Sequence, residues 1–249
     1  MAVLREIIAI LYAIIGIVWM RIGPMWAPKV KRLQKNGKLQ EADQVLTVML
    51  KRFVRRLMKI IGIEVEIIGD ENLPKHGNYV LVGNHQGHAD PFFPFLFMDR
   101  SLGFVAKKEL RKLPIVPGLM DLYHCVLIDR KDLRQSLQAI QEGADFVRDG
   151  YPMMIYPEGT RSTSEKMLPF KSGAMNLALK AKADVVPVTM VGSYWIQQKG
   201  SNLIKKAKVR VVIDAPIPTV DMDRSEKKEL SGRVRGIIEQ NLEKYKIEK

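Results

Sequence analysis

The chain has 249 residues, 47% of them hydrophobic and 27% charged, which excludes wholesale disorder and leaves room for one large domain or a domain with an appendage. A single cysteine, Cys125, excludes an intramolecular disulfide framework and fits a reducing, cytosol-facing compartment. The net charge of +13 calls for an anionic partner, and residues 1 to 62 hold most of the excess: twelve Lys or Arg against Glu6, Glu41 and Asp43, a net +9.

The first element is an apolar run from Ile7 to Met20, fourteen residues without a charge. As a helix it would measure about 21 Å, short of the roughly 30 Å hydrocarbon core. A secretory leader is disfavoured by Glu6 and by the lack of a small-x-small cleavage site in "RIGPMWAPK". A buried core helix and a tilted span are the alternatives. After Pro24 and Pro28, Leu46, Leu50, Phe53, Leu57 and Ile60 recur at helical spacing, with Lys51, Arg52, Arg55, Arg56 and Lys59 on the other side. Trp19 and Trp26 flank the hinge, where amphipathic rings suit a membrane–water boundary. These features predict a two-helix, membrane-associated hairpin over residues 1–62, lying in one leaflet with its basic side toward anionic headgroups. Aromatic residues are scarce among the basic ones, which argues against a nucleic-acid partner.

From residue 63 to 249 short apolar runs alternate with helical stretches. "EVEIIG", "YVLVGN", "GFVAK", "CVLID", "PMMIYPEG", "VVPVTMVG" and "VRVVID" read as strands, and 132–149, 172–182 and 223–246 as helices, with Asp132 and Ser172 as N-caps. The alternation predicts an α/β domain with a mostly parallel or mixed sheet flanked by helices.

Half of the four histidines fall in "NHQGHAD", directly after the strand "YVLVGN". His85 therefore leaves the carboxyl end of a strand, where α/β sheets place ligands. Asp90 before Pro91 is a helix-start signal. Residues five apart on a helix point about 140° away from each other, so His85 and Asp90 meet only if a loop folds the histidine back over the helix start. One Asp90 oxygen would then cap the helix and the other hold the imidazole. Three readings stand side by side: a strand end with a capping aspartate; a metal site built on His85, His88 and Asp90, with His76 and His124 the remaining histidines; or a general base, His85, oriented by Asp90.

Further along, "MMIYPEGTRSTS" ends a strand in Glu158, Gly159, Thr160 and Arg161. The glycine allows close backbone approach to a ligand, and the arginine offers a forked cation suited to phosphate. Taken alone, this is also what a charged surface turn looks like. Lys171 precedes a helix start, while Lys107, Lys108 and Arg130 stand at strand ends on the edge that carries His85.

The ordered set "NHQGHAD", "AKKEL…LPIVPG", "VLIDR", "YPEGTRS", "FKSGA" and "VVPVTMVG", spanning residues 80 to 192, resembles the glycerolipid acyltransferase family. The resemblance implies that His85 is the general base and Asp90 its orienting partner. It places Arg130, Glu158, Gly159, Thr160 and Arg161 at the glycerol phosphate, and gives Pro187 a part in shaping the acyl or acceptor site. Gly87 and His88 depart from the serine and bulky residue common in the first motif, and His124 and Leu127 depart from the second.

The implied reaction is acyl transfer from a coenzyme A or acyl carrier protein thioester, as co-substrate and with no cofactor or metal, to the 2-hydroxyl of lysophosphatidic acid. Neutral His85 would take the hydroxyl proton. Backbone N–H groups near Gln86 and Gly87 would meet the oxyanion, and Arg161, Lys107 and Arg130 would hold the phosphate. Cys125 reads as core. A lipid acceptor implies the cytoplasmic face of the cell membrane. Acylation of glycerol 3-phosphate or another lysophospholipid is the near rival, and a metal-dependent hydrolase the distant one.

Overall fold

The protein is described from a computed structural model covering residue 11 and residues 27–112, 116–171, 173–201 and 203–247. The elements in chain order are α1 (Ala27–Lys35), α2 (Leu39–Ile61), β1 (Ile63–Ile68), β2 (Tyr79–Gly83), α3 (Pro94–Phe97), β3 (Gly103–Lys107), α4 (Val116–Leu122), β4 (Val126–Ile128), α5 (Leu133–Arg148), β5 (Met153–Ile155), α6 (Asn176–Ala181), β6 (Asp184–Val191), β7 (Ala207–Ile213) and α7 (Arg224–Lys244). All seven strands join one sheet in the order β1-β7-β6-β2-β5-β3-β4. Only β6 and β7 pair antiparallel; the other ladders are parallel, so the sheet is mixed.

β2 shows why the apolar runs are continuous. Parallel strands covered on both faces need apolar residues at every position. Tyr79 and Leu81 point into one core with Phe93, Met98 and Met154, whereas Val80 and Val82 point into a second with Ala144, Leu177 and Val234. The first core lies under α2 and α3, the second under α5, α6 and α7. Asp132 caps α5 by accepting from Gln135 N at 3.0 Å, and α7 opens with a reciprocal capping box between Asp223 and Glu226. The helix expected over 172–182 is shorter, and Ser172 lies outside the described residues.

The N-terminal reading needs a correction. The apolar run at 7–20, with Trp19, Pro24 and Trp26, lies outside the described residues apart from Leu11. The second helix is real but begins earlier, at Leu39, after a helix the periodicity did not reveal, α1, which holds Pro28 in its first turn. Leu46, Leu50, Phe53 and Leu57 of α2 are all buried, joined by Val54 and Met58, in the core that also holds Phe93 and Tyr123. Each such side chain contributes about 1.5–3 kcal/mol by leaving water, so this face is occupied by the protein itself and not by a leaflet. Tyr123 Oη donates to Leu46 O at 3.2 Å, and Lys51 Nζ to Met98 O at 3.3 Å, tying α2 to the sheet domain. Arg52, Arg55, Arg56 and Lys59 remain exposed. Among the described residues no helix is long and apolar enough to cross a membrane.

Candidate active site

The site grows from the carboxyl ends of β2 and β5, which pair in register from Val80 with Met153 to Val82 with Ile155. Asn84 follows β2 and is fully buried; its side chain donates to Met190 O at 2.9 Å and accepts from Met190 N at 2.7 Å, fastening the end of β2 to β6. The loop then turns back on itself, and a 3-10 turn, Asp90–Phe92, replaces the expected helix start.

That turn brings His85 and Asp90 together, with Nδ1 2.8 Å from Oδ2. The same Oδ2 accepts from Gln86 N at 2.6 Å and Gly87 N at 2.8 Å. Asp90 therefore gives no side-chain cap to the following turn, contrary to the two-oxygen expectation: Oδ2 takes all three partners, and Oδ1 is buried without a hydrogen bond among the described residues. The oxyanion assignment also falls: both N–H groups are already donated to the carboxylate. Position 87 holds glycine because a Cβ there would stand 2.9 Å from Ser193 O. The Gln86 side chain is buried and meets Ser193 Oγ at 3.5 Å. With Asp90 accepting at Nδ1, the imidazole turns Nε2 outward, and its side chain keeps 18% of its surface exposed against 0% for Asp90.

Residues 156–162 hold the histidine from the β5 side. Glu158 Oε1 accepts from His85 N at 2.6 Å, Oε2 accepts from Leu168 N at 2.7 Å, and Ser162 N donates to His85 O at 2.8 Å. Burial pushes the Glu158 carboxyl above its usual pKa, and the two amides work against that rise. A buried carboxylate with both oxygens on backbone amides cannot also face a phosphate, so Glu158 leaves the phosphate set and becomes a clamp on the loop that carries His85. Tyr156 lies against the His85 ring, centroids 4.4 Å apart and planes 23° from parallel.

The cations converge nearby. Gly159 has φ +70°, and a Cβ there would stand 3.5 Å from the Lys171 side chain and 3.6 Å from the Arg130 guanidinium. Arg130 also donates to Gly159 O. Thr160 is exposed, and Arg161 is half-buried beside His88. Partial burial, with Arg161 and His85 nearby, holds the His88 imidazole below its ordinary pKa. Lys107 is exposed at the end of β3, whereas Lys108 is paired with Asp129. On the opposite side a cavity of about 510 Å³ lies between β6 and α7, bordered by Gln86, Lys166, Trp195 and Arg235. Its Arg235 and Lys246 pair with Glu239 and Glu165 at 2.7 and 3.3 Å, whereas Arg130 and Lys171 beside Gly159 are exposed.

Pro187 and the two remaining histidines lie elsewhere. Pro187 is buried inside β6 opposite Val82, so it presents no exposed surface of its own. Its missing N–H is tolerated because the β6–β7 ladder ends at Val188. His124 precedes β4 at the other edge of the sheet, against Tyr151 and Phe146, and His76 is exposed ahead of β2. Among the described residues no group of three or more His, Cys, Asp or Glu is placed to hold a metal. Cys125 packs beside the first core, where burial pushes its thiol up to about 12. Asn84 and Tyr156 were not singled out by the sequence; the available signal was a polar or aromatic residue directly beside each motif.

Three comparisons bear on this geometry. A protein named "Probable 1-acyl-sn-glycerol-3-phosphate acyltransferase" from Mycoplasma pneumoniae is 31% identical over 206 residues, covering 78% of this chain and 77% of its own length. The 1-acyl-sn-glycerol-3-phosphate acyltransferase of Saccharomyces cerevisiae is 30% identical over 199 residues, 79% of this chain and 65% of the yeast protein. The crystal structure of the 1-acyl-sn-glycerophosphate (LPA) acyltransferase from Thermotoga maritima superposes with a TM-score of 0.83 at 27% identity, covering 100% of this chain and 99% of that one. The acyltransferase family model matches residues 64–191, the span that supplies His85, Asp90, Glu158 and the cations around Gly159, and the chain belongs to that acyltransferase family.

Proposed function

We propose that this protein transfers an acyl group from an acyl thioester to the sn-2 hydroxyl of 1-acylglycerol 3-phosphate, forming phosphatidic acid. The observation that carries the reading is the His85–Asp90 pair, fixed by two loop amides and by Glu158, with outward-facing cations at one side. An alcohol is too weak an acid to attack a thioester unaided at neutral pH. His85 Nε2 accepts its proton as the new C–O bond forms, and Asp90 steadies the imidazolium through Nδ1. Arg130, Arg161 and Lys171 hold the phosphate, which aims the 2-hydroxyl at Nε2 and makes the step effectively unimolecular. The tetrahedral intermediate expels the thiolate of the carrier, which recovers the proton held by His85.

The donor in this reading is coenzyme A or acyl carrier protein, both acidic partners for a basic protein. The acceptor is a lipid, so we place the enzyme on the cytoplasmic face of the cell membrane. The exposed Arg52, Arg55, Arg56 and Lys59 of α2 supply a surface for anionic headgroups, together with the N-terminal apolar run.

The test is transfer of a labelled acyl chain from acyl-CoA, and separately from acyl carrier protein, to lysophosphatidic acid or glycerol 3-phosphate, with and without EDTA. Phosphatidic acid from the lysophospholipid, unaffected by EDTA, is the expected result. Product from glycerol 3-phosphate alone would change the acceptor, and loss of activity with the chelator would revive the metal reading.

A further inference from the structure

Tyr156 follows β5 directly, and its ring lies on the His85 imidazole at 4.4 Å with only 23° between the planes. The bond from Asp90 to Nδ1 fixes one point of the imidazole but leaves the ring free to swing about that point. A second constraint must set the plane. The backbone of His85 is already pinned at both ends, its N–H by Glu158 and its carbonyl by Ser162 N, so the remaining freedom lies in the two side-chain torsions. The face of Tyr156 is positioned to remove it.

We propose that Tyr156 is a positioning residue for the transfer reaction, its ring serving as the surface on which the His85 imidazole rests so that Nε2 keeps facing the acceptor hydroxyl. The ring is the working part and the hydroxyl is not. Among the described residues the Tyr156 hydroxyl is buried and makes no hydrogen bond. A buried hydroxyl without a partner is a cost, and deleting it harms nothing the ring does. Burial and the nearby Asp90 charge also raise the phenol well above its usual pKa, so Tyr156 stays protonated and does not compete with His85 as a base. An aromatic pair also prefers this offset, near-parallel arrangement over an arbitrary one.

The inference rests on the transfer reading above, and the experiment separates the two. Wild type, Tyr156→Phe, Tyr156→Leu and Tyr156→Met are compared for kcat and for KM of each substrate, with thermal unfolding recorded alongside. The Phe variant should stay within about twofold of wild type in kcat, since the plate remains. The Leu and Met variants should lose kcat by roughly tenfold to a hundredfold with both KM values nearly unchanged, because displacement of a reacting group by an ångström has that effect. NMR of histidine-labelled protein gives an independent reading: the ring current of Tyr156 should move the His85 carbon-bound protons upfield in wild type and in the Phe variant, and the shift should vanish in Leu and Met. Full kcat in a folded Leu or Met variant would overturn the proposal. So would a Phe variant as impaired as Leu, which would move the role to the hydroxyl, or a loss confined to KM. An inactive wild type would instead remove the transfer reading itself.

Discussion

Each edge of the sheet carries a histidine against a tyrosine with an aspartate close by, and the two edges are built differently. At the carboxyl edge His85 lies on Tyr156 at 4.4 Å and binds Asp90 at 2.8 Å. At the amino edge His124 lies against Tyr151 at 3.9 Å, and the nearby aspartate, Asp43 of α2, hydrogen-bonds the tyrosine. The residue types match, so type cannot be the cause of the difference. What differs is direction. Asp90 turns one oxygen onto Nδ1 and two loop amides, leaving Nε2 toward the outside and cations a few residues away. His124 is packed against Phe146 and Tyr151, and burial alone holds its imidazole below the ordinary pKa. A histidine becomes a usable base through the hydrogen bond at its second nitrogen and the access left to its first.

Removing each histidine in turn gives the largest contrast. His85→Ala should lower acyl transfer on the order of a thousandfold or more while the unfolding midpoint stays near wild type, the size expected for loss of a general base. His124→Ala should leave kcat unchanged and cost stability through lost packing on Tyr151 and Phe146. Kinetics and thermal melts on the two proteins check both, and an active His85→Ala enzyme would end the base assignment.

The cations provide the next contrast. Arg161→Ala should raise KM for lysophosphatidic acid roughly tenfold to a hundredfold, as loss of a charge-assisted contact to phosphate does, with the donor KM unmoved. Lys108→Ala should do little, because that ammonium is exposed and paired with Asp129. Equal acceptor kinetics in wild type and Arg161→Ala would take that arginine out of the phosphate site.

Glu158 tests whether the clamp and the phosphate site are distinct. In Glu158→Gln one of the two amides, His85 N or Leu168 N, meets an NH2 group in place of an oxygen. Hydrogen bonds to a charged group are worth about 1.5–3 kcal/mol, so denaturant unfolding should show a loss of that order. Because the His85 backbone shifts with it, kcat should fall while the acceptor KM does not rise selectively. A rise in acceptor KM at unchanged stability would restore Glu158 to the phosphate site.

The sheet was legible in the sequence because its strands are covered on both faces, and the run "YVLVGN" therefore carries no polar interruption until Asn84. The pairing of His85 with Asp90 was legible as a condition, that a loop fold back, since helix geometry forbids it otherwise. The partners of that carboxylate were not. Whether Gln86 N and Gly87 N point at Asp90 or at a substrate depends on backbone torsions that no residue type in the loop dictates. Glu158 was misread for a related reason: a carboxylate beside an arginine in a motif looks exposed until tertiary packing turns it onto the His85 and Leu168 amides. The apolar stripe of α2 was read correctly as a stripe, but periodicity states only that a face is covered and not by what. Leu46 and Phe53 cover the sheet.

The smallest effect belongs to the amino edge and depends on pH. Burial raises the Asp43 carboxyl from 3.8 to about 6, against the lowering effect of its hydrogen bond with Tyr151. A raised native pKa means that the folded chain binds this proton more tightly than the unfolded one. The stabilising share is therefore full below about pH 4, declines as pH rises toward 6, and is gone above it, where a partly buried carboxylate opposes the docking of α2. Asp43 is only half-buried, so solvent screening reduces the effect to about 1 kcal/mol. Asp43→Asn, which keeps an acceptor for Tyr151 and carries no charge, should stabilise the protein by about that amount at pH 8 and leave it near wild type at pH 4.5, with kcat unchanged at either edge's expense. Thermal unfolding across this range reads the gap. A variant less stable than wild type at pH 8 would mean that the charged carboxylate gains more from Tyr151 than burial takes away, and the amino edge would then hold its aspartate as firmly as the carboxyl edge holds Asp90.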